Sequence, residues 1–426
     1  MDGREQAVPA WAGPARPDQA PRAAGAPVLV VSAAATAAPA YVRTPAPPAT
    51  FAAAAPAPAL PRAVPPPPRP VPPRPAPAPV AQRRPVPPAA RIELPQVVCW
   101  QLSVVTVLAT LDRPWPVLTA ASAAAVILLA LTTIRVRGKW LYELAGLGCR
   151  FLLRRRRHDL PDSTAKATAL IGLLLPGSTV RPLETAQGTT AAISHAHGLT
   201  ALLAPDRPVD PRTFPSPAAL LPPSNDEDPG FAVQVAFHAG TRPDSPARMW
   251  LAAGAIRSAD VPGDDELELA LRNALRRIRR ALGRAGMPAG PPAEDSVSAA
   301  LTALSHVSGG RNELREDWRF WRTGPVSQSC FTLEGWAALA EPTAAALTVR
   351  LLTPVAGVAV SLTLAARTGG ERSAVLRLAA TTEAAVDATA ARLTQLLVPA
   401  GIRLSRHDGG HFPAVAASLP IGGFPR

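Results

Sequence analysis

Two apolar runs separated by a three-residue turn constrain this chain more than any other feature. No charged residue stands between Glu93 and Asp112, and Val97–Leu111 is interrupted only by Gln101, Ser103, Thr106 and Thr110. After Asp112-Arg113-Pro114 come twenty uncharged residues, Trp115 to Ile134. About 20 residues at 1.5 Å rise span a hydrocarbon core of roughly 30 Å. The second run therefore predicts a membrane-crossing helix outright. The first is shorter and more polar, and it gains its assignment from the pairing, because helices joined by so short a turn run antiparallel. The spans are drawn at 94–111 and 115–134.

Flanking charge sets the orientation. Arg83, Arg84 and Arg91 precede the runs; Arg135, Arg137, Lys139, Arg150 and Arg154–Arg157 follow them, against Arg113 alone in the turn. By the positive-inside bias both chain ends are expected in the cytoplasm, in a two-pass protein of the inner membrane. Trp100, Trp115 and Trp140 are candidate interfacial anchors. The competing reading, a buried hairpin in a soluble core, is disfavoured by these arginines.

The stretch Lys139 to Arg157, within a basic juxtamembrane segment drawn at 135–160, reads as an amphipathic helix. It ends in four consecutive arginines, Arg154, Arg155, Arg156 and Arg157. Each is worth about 1 kcal/mol beside anionic lipid headgroups, which makes them candidate membrane-surface residues. The formal charge of +13 also permits a nucleic-acid partner. No aromatic interleaving or nucleic-acid module accompanies the run, so none is expected.

Of 52 prolines, 25 fall in the first 90 residues. Proline lacks an amide donor and alanine buries little surface, so residues 1–90 cannot offset their ordering entropy. A disordered, mildly basic proline-rich tail with polyproline II segments is expected there. A docking ligand for a proline-recognising partner is the sharper alternative. Cys99, Cys149 and Cys330 have no paired spacing, which supports neither a disulfide framework nor a zinc site.

Residues 161–426 read as a cytoplasmic α/β domain, a mixed, largely antiparallel sheet with covering helices. Phe231, Val233, Val235 and Phe237 alternate with Ala232, Gln234, Ala236 and His238, the period of a half-buried strand. Arg248–Arg257 is its candidate partner. Asp264-Asp265-Glu266 opens a helix with Leu267, Leu271, Leu275, Ile278 and Leu282 on one stripe, closed by Gly286 and Pro288. A second helix is expected near Ser296–Val307. Leu347–Leu352, Val358–Ala366, Ala374–Ala379 and Ile402–Ser405 read as strands. A helix capped by Thr381 or Thr382 carries Val386, Ala390, Leu393 and Leu397 on one face.

No catalytic constellation emerges. The one Gly-Lys step, Gly138-Lys139, precedes Trp140 and does not make a P-loop, and there is no Gly-x-Ser-x-Gly elbow. His195 with His197, and His407 with His411, are weak metal leads that read more simply as exposed histidines, and a solvated ring is the default for His238. Asp226-Glu227-Asp228 reads as a solvated loop. The cluster Asp317-Trp318-Arg319-Phe320-Trp321-Arg322 fits a partner interface, since Trp and Arg dominate hot spots, and equally a core strand.

Two segments carry a family resemblance. Trp318-Arg-Phe-Trp321-Arg-Thr-Gly-Pro-Val-Ser-Gln-Ser-Cys330-Phe-Thr-Leu-Glu-Gly-Trp336, placed after two apolar runs and a basic stretch, resembles EccE, a membrane component of the actinobacterial type VII (ESX) secretion machinery. The ending His407-Asp-Gly-Gly-His-Phe-Pro-Ala-Val-Ala-Ala-Ser-Leu-Pro-Ile-Gly-Gly423 is similar to that family's closing segment. The resemblance spans about residues 90 to 426 and implies a non-enzymatic subunit beside EccB, EccC and EccD, with the ATPase activity in EccC. It implies no catalytic residue, cofactor or metal. Trp318, Trp321 and Trp336 are the candidate partner-interface residues. The alternative is a membrane-anchored enzyme acting on a nucleotide-sugar or lipid; a membrane-bound nucleic-acid regulator is a third reading.

Overall fold

The computed structural model describes residues 94–136, 139–162, 165–186, 188–223, 229–242, 245–308 and 310–423. The proline-rich head, the Gly138 step and the acidic run 226–228 lie outside them.

The apolar runs form α1 (Leu94–Ala109) and α2 (Trp115–Thr133), with Pro114 and Pro116 at the start of α2, where a missing N–H costs nothing. The beginning of α1 meets the end of α2. Trp100 Nε1 donates to Thr132 Oγ1 at 3.0 Å and Gln96 Nε2 donates to the Thr132 carbonyl at 3.3 Å. The polar groups on this pair thus satisfy one another, and Trp100 spends its N–H between the helices. Among the described residues α2 alone is long and apolar enough to cross a membrane, about 28 Å at 1.5 Å per residue. Most of its surface has no protein cover.

A two-stranded ribbon follows, β1 (Arg135–Val136) with β2 (Lys139–Trp140), the Arg135 guanidinium lying 4.1 Å from the Trp140 ring centroid. Helix α3 (Leu141–Leu153) starts where Glu143 accepts the Trp140 N–H at 3.1 Å. It is shorter than the helix expected over 139–157. Arg154 is already extended, and Arg157 begins β3 (Arg157–Asp159). Strand pairing captured Arg157, and Arg154 to Arg156 form the connection between α3 and β3.

The distal domain is one sheet. In chain order its elements are α4 (Lys166–Leu174), β4 (Thr179–Thr185), β5 (Gly188–His195), β6 (Gly198–Pro205), α5 (Pro217–Leu220), β7 (Phe231–Ala239), β8 (Arg248–Ile256), α6 (Asp264–Arg284), β9 (Ala289–Gly290) and α7 (Glu294–Leu304). Then come β10 (Glu313–Glu316), β11 (Trp321–Thr323), β12 (Val326–Glu334), α8 (Glu341–Leu351), β13 (Val358–Arg367), β14 (Arg372–Ala380), α9 (Glu383–Leu397), β15 (Arg403–Arg406) and α10 (His411–Ser418). Every pairing between these strands is antiparallel.

Strand order is β3-β10-β11-β12-β14-β13-β7-β8-β6-β5-β4, with β15 on β12 and β9 on β6. Leaving β3 aside, the order reads the same from either edge. β4-β5-β6-β8-β7 answers β10-β11-β12-β14-β13, and α6 with β9 answers α9 with β15. The halves meet at β7–β13, whose antiparallel register pairs Val235 with Leu364. The topology is that of a pseudo-two-fold internal repeat, which no residue pattern in the sequence announces. One edge is completed by β3, the strand leading from the helix pair. The other edge, β4, carries Pro182, which has no amide donor, and Arg181, which pairs with Asp264 and Glu268.

Helices cover both faces. Leu267, Leu271 and Ile278 of α6, Leu347 and Leu351 of α8, and Val386 and Leu393 of α9 pack on one core; α4, α7 and α10 cover the other through Leu170, Leu301 and Val415. Two sequence expectations are corrected here. The alternating face of β7 is not solvated, since Gln234 is buried and His238 half-buried beneath the second layer. Leu347–Leu352 is not a strand but the end of α8. Pro342 in the first turn and the Ala344–Ala346 run favour helix, and Leu347 and Leu351 then share one stripe. The other expected strands and helices are present, α9 capped by Thr382, whose Oγ1 accepts the Ala385 N–H at 3.3 Å.

Candidate membrane junction

Where α3 ends, the two sequence segments quoted for their family resemblance meet. Phe151 stacks edge-on against Trp318, ring centroids 5.2 Å apart. Arg154 Nη2 lies 2.5 Å from a carboxylate oxygen of Glu316, a side chain wholly out of solvent, and donates to the Gly409 carbonyl at 2.7 Å. The same Glu316 oxygen accepts the His411 N–H at 2.7 Å. Gly409 N–H donates to the Trp318 carbonyl at 2.7 Å, and the Nε2 proton of His411 points to that carbonyl at 3.2 Å. Gly409 is required here twice over: its φ is +68°, and a Cβ would lie 2.6 Å from the Trp318 ring. Burial holds the Glu316 carboxyl above the ordinary carboxylate range despite the opposing pull of Arg154.

The turn carrying Trp318 is fixed to the sheet by further ion pairs. Arg315 and Arg322 both reach Asp317, at 2.9 and 2.7 Å, and Arg319 and Arg406 share Asp387 on α9 at 3.1 and 2.7 Å. The end of α3 is thus joined to the sheet by a short, cross-braced bracket. Its elements come from residues about 150, 316 and 410.

Residues 252–333, running from β8 through β12, match the family model described as "Putative type VII ESX secretion system translocon, EccE". This segment belongs to the EccE family. No curated protein matches the chain. The EccE segment contains Glu316, Trp318 and Trp321, so the bracket is built from it together with α3 and the carboxy-terminal turn.

The structure separates residues that the sequence had grouped. Of the three tryptophans, Trp318 alone reaches the surface, at 37% exposure; Trp321 is fully buried beside Phe412, and Trp336 lies in the core under α8. Trp321 and Trp336 are packing residues of the core. Of the four arginines, Arg154 is spent on Glu316, while Arg155, Arg156 and Arg157 are exposed. They surround a cleft of about 400 Å³ shared with Arg315 and Asp159, next to Leu152 and Leu153, which are 71% and 88% exposed.

His195 and His411 are buried, contrary to the solvated reading; His197 is exposed and His407 half-buried. Among the described residues no three His, Cys, Asp or Glu side chains converge as a metal site.

Sequence reading missed Glu316, Gly409 and a polar row across four strands. His238, Ser361, Arg377 and Cys330 are successive register partners on β7, β13, β14 and β12. His238 Nδ1 lies 2.9 Å from Ser361 Oγ, and Arg377 Nη1 donates to Gln328 Oε1 at 2.8 Å. Burial pushes the Cys330 thiol up to about 12, so it is inert at neutral pH. The only signal available beforehand was a charged residue, Arg377, inside an otherwise apolar strand.

Proposed function

We propose that the chain is a non-enzymatic structural subunit of a type VII secretion membrane complex, crossing the inner membrane twice with both ends in the cytoplasm. The observation that carries the reading is the EccE match over residues 252–333. The geometry supports it from the other side. α1 and α2 leave Leu102, Val105, Leu108, Val126 and Ile127 more than half exposed, a surface that needs lipid or other membrane helices. The bracket at Arg154, Glu316 and Trp318 holds the end of α3 to the sheet, as suits a bracing subunit. EccB, EccC and EccD are the proposed partners. Arg155, Arg156 and Arg157, with the exposed Leu152 and Leu153, are proposed to rest on anionic headgroups of the cytoplasmic leaflet.

Gentle detergent extraction and affinity purification of the tagged chain are expected to recover EccB, EccC and EccD. Recovery as a lone monomer from native membranes would refute the assignment to a complex. A carboxy-terminal reporter active only outside the cytoplasm would refute the orientation.

A further inference from the structure

Behind the bracket, on the α10 side of the sheet, lies a cleft of about 630 Å³, the size of a small-ligand site. It exists for a sequence reason. Its floor carries the small residues Ala232, Ala252 and Gly254, and its cover is the eight-residue α10 followed by Gly422 and Gly423. Those glycines let the chain lie against the sheet: a Cβ on Gly422 would fall 2.2 Å from Thr200 Oγ1 and 3.1 Å from His195 Nε2. Gln234 Oε1 pins the tail by accepting the Gly422 N–H at 2.9 Å.

The polar groups lining the cleft are mostly cationic or donors. Arg257, Arg367 and Arg154 face it with one carboxylate, Glu371, among the described lining residues. Arg257 pairs outward with Asp264 at 2.5 Å and Arg367 lies 3.6 Å from Glu371, yet each guanidinium has five N–H groups to distribute. His195 Nδ1 accepts the His197 N–H at 3.2 Å, which places the ring proton on Nε2, beside Thr200 and the tail. Burial keeps that ring neutral, its pKa lowered to about 4, with His197, Arg257 and Arg367 adding to the shift. The opposite wall is apolar, formed by Leu174, Ile256 and Phe412.

We propose that this cleft binds an organic phosphate, its phosphoryl oxygens held by Arg257, Arg367, Thr200 and His195 and its organic part laid against Phe412 and Leu174. Positive groups between low-dielectric walls focus the field on such an anion, and Arg forks match phosphate geometry. Arg154 borders both the cleft and the bracket, so occupancy is positioned to bear on the joint between helices and sheet. The proposal does not depend on the secretion reading.

The test is calorimetric titration of the full-length protein, in nanodiscs of neutral lipid, with ATP and with dihexanoyl phosphatidic acid. Binding with a Kd below roughly 1 mM is expected for at least one; ATP alone marks a soluble ligand, phosphatidic acid alone a lipid headgroup. Arg367→Gln is expected to weaken the bound probe about tenfold, while Arg392→Gln, exposed on α9 and outside the cleft, leaves it unchanged. Arg257→Gln, at the other guanidinium assigned to the phosphate, is the second variant in case Arg367→Gln fails to fold, and a loss of affinity is again expected. Failure of both probes to bind, or full affinity in a folded cleft variant, overturns the proposal.

Discussion

Glu316 shows what one residue does when it is the meeting point of distant segments. It accepts from Arg154 at the end of a membrane-linked helix and from His411 at the start of α10. Removing the carboxylate leaves a half-buried guanidinium without its anion, so Glu316→Ala is expected to cost about 2–4 kcal/mol. Arg155→Gln, a few residues away but exposed, should stay within about 0.5 kcal/mol. Thermal unfolding of the detergent-solubilised chain compares the two, and equal effects would remove the distinction drawn between Arg154 and its neighbours. Arg377 presents the opposite case. It is buried, no carboxylate pairs with it among the described residues, and burial lowers its pKa to about 10. Arg377→Met keeps the volume and discards an uncompensated charge. The expected result is a neutral to stabilising change of about 1–2 kcal/mol; a loss larger than about 1 kcal/mol would mean that the polar row holds the four strands together.

At the level of elements, exposure separates helices of similar apolar character. α6 and α9 bury one stripe each and leave charges outside, whereas α2 has no charged face and little cover. The bilayer is its proposed solvent, and a charge near its middle should be rejected. Ile127→Arg is expected to raise the cost of insertion by about 2.5–3.5 kcal/mol, read as a shift of the protein from the membrane pellet to the alkaline-carbonate supernatant. Continued full integration would argue that α2 packs on protein instead. α8 teaches a related lesson. Leu347–Leu352 looks like a strand when only β-branched and apolar residues are counted, but Pro342 and three alanines set its period before those residues are reached.

Acid is expected to act on the molecule as a whole. Burial lowers the pKa of His195, His238 and His411 to about 4 and of His306 to about 3. The unfolded chain protonates these rings near 6.5, so the native state binds fewer protons below that pH. Stability is therefore full above about pH 6.5 and falls as pH drops toward about 4, by up to about 1.4 kcal/mol per unit for each ring. Asp264, held below its usual range first by Arg257, adds a loss at lower pH still; Glu316, held above it, works in the other direction. Melting curves between roughly pH 7.5 and pH 4.5 should show a steep fall below pH 6. A flat profile there would mean that the four rings are hydrated in solution.

The sequence by itself determined the elements whose signal is local. Nineteen uncharged residues make α2, the Leu267–Leu282 stripe makes α6, and strict alternation makes β7. Each follows from hydrophobic periodicity, which needs no knowledge of neighbours. Tertiary structure alone decided that neither face of β7 meets solvent, since a second layer of helices covers the face that carries Gln234 and His238. It also decided that Trp321 and Trp336 are core while Trp318 is not, and that Arg154 leaves the arginine run to pair with Glu316. These outcomes rest on contacts between residues a hundred or more positions apart. Their energy comes from desolvation and pairing at a distance, and a linear reading carries no term for either.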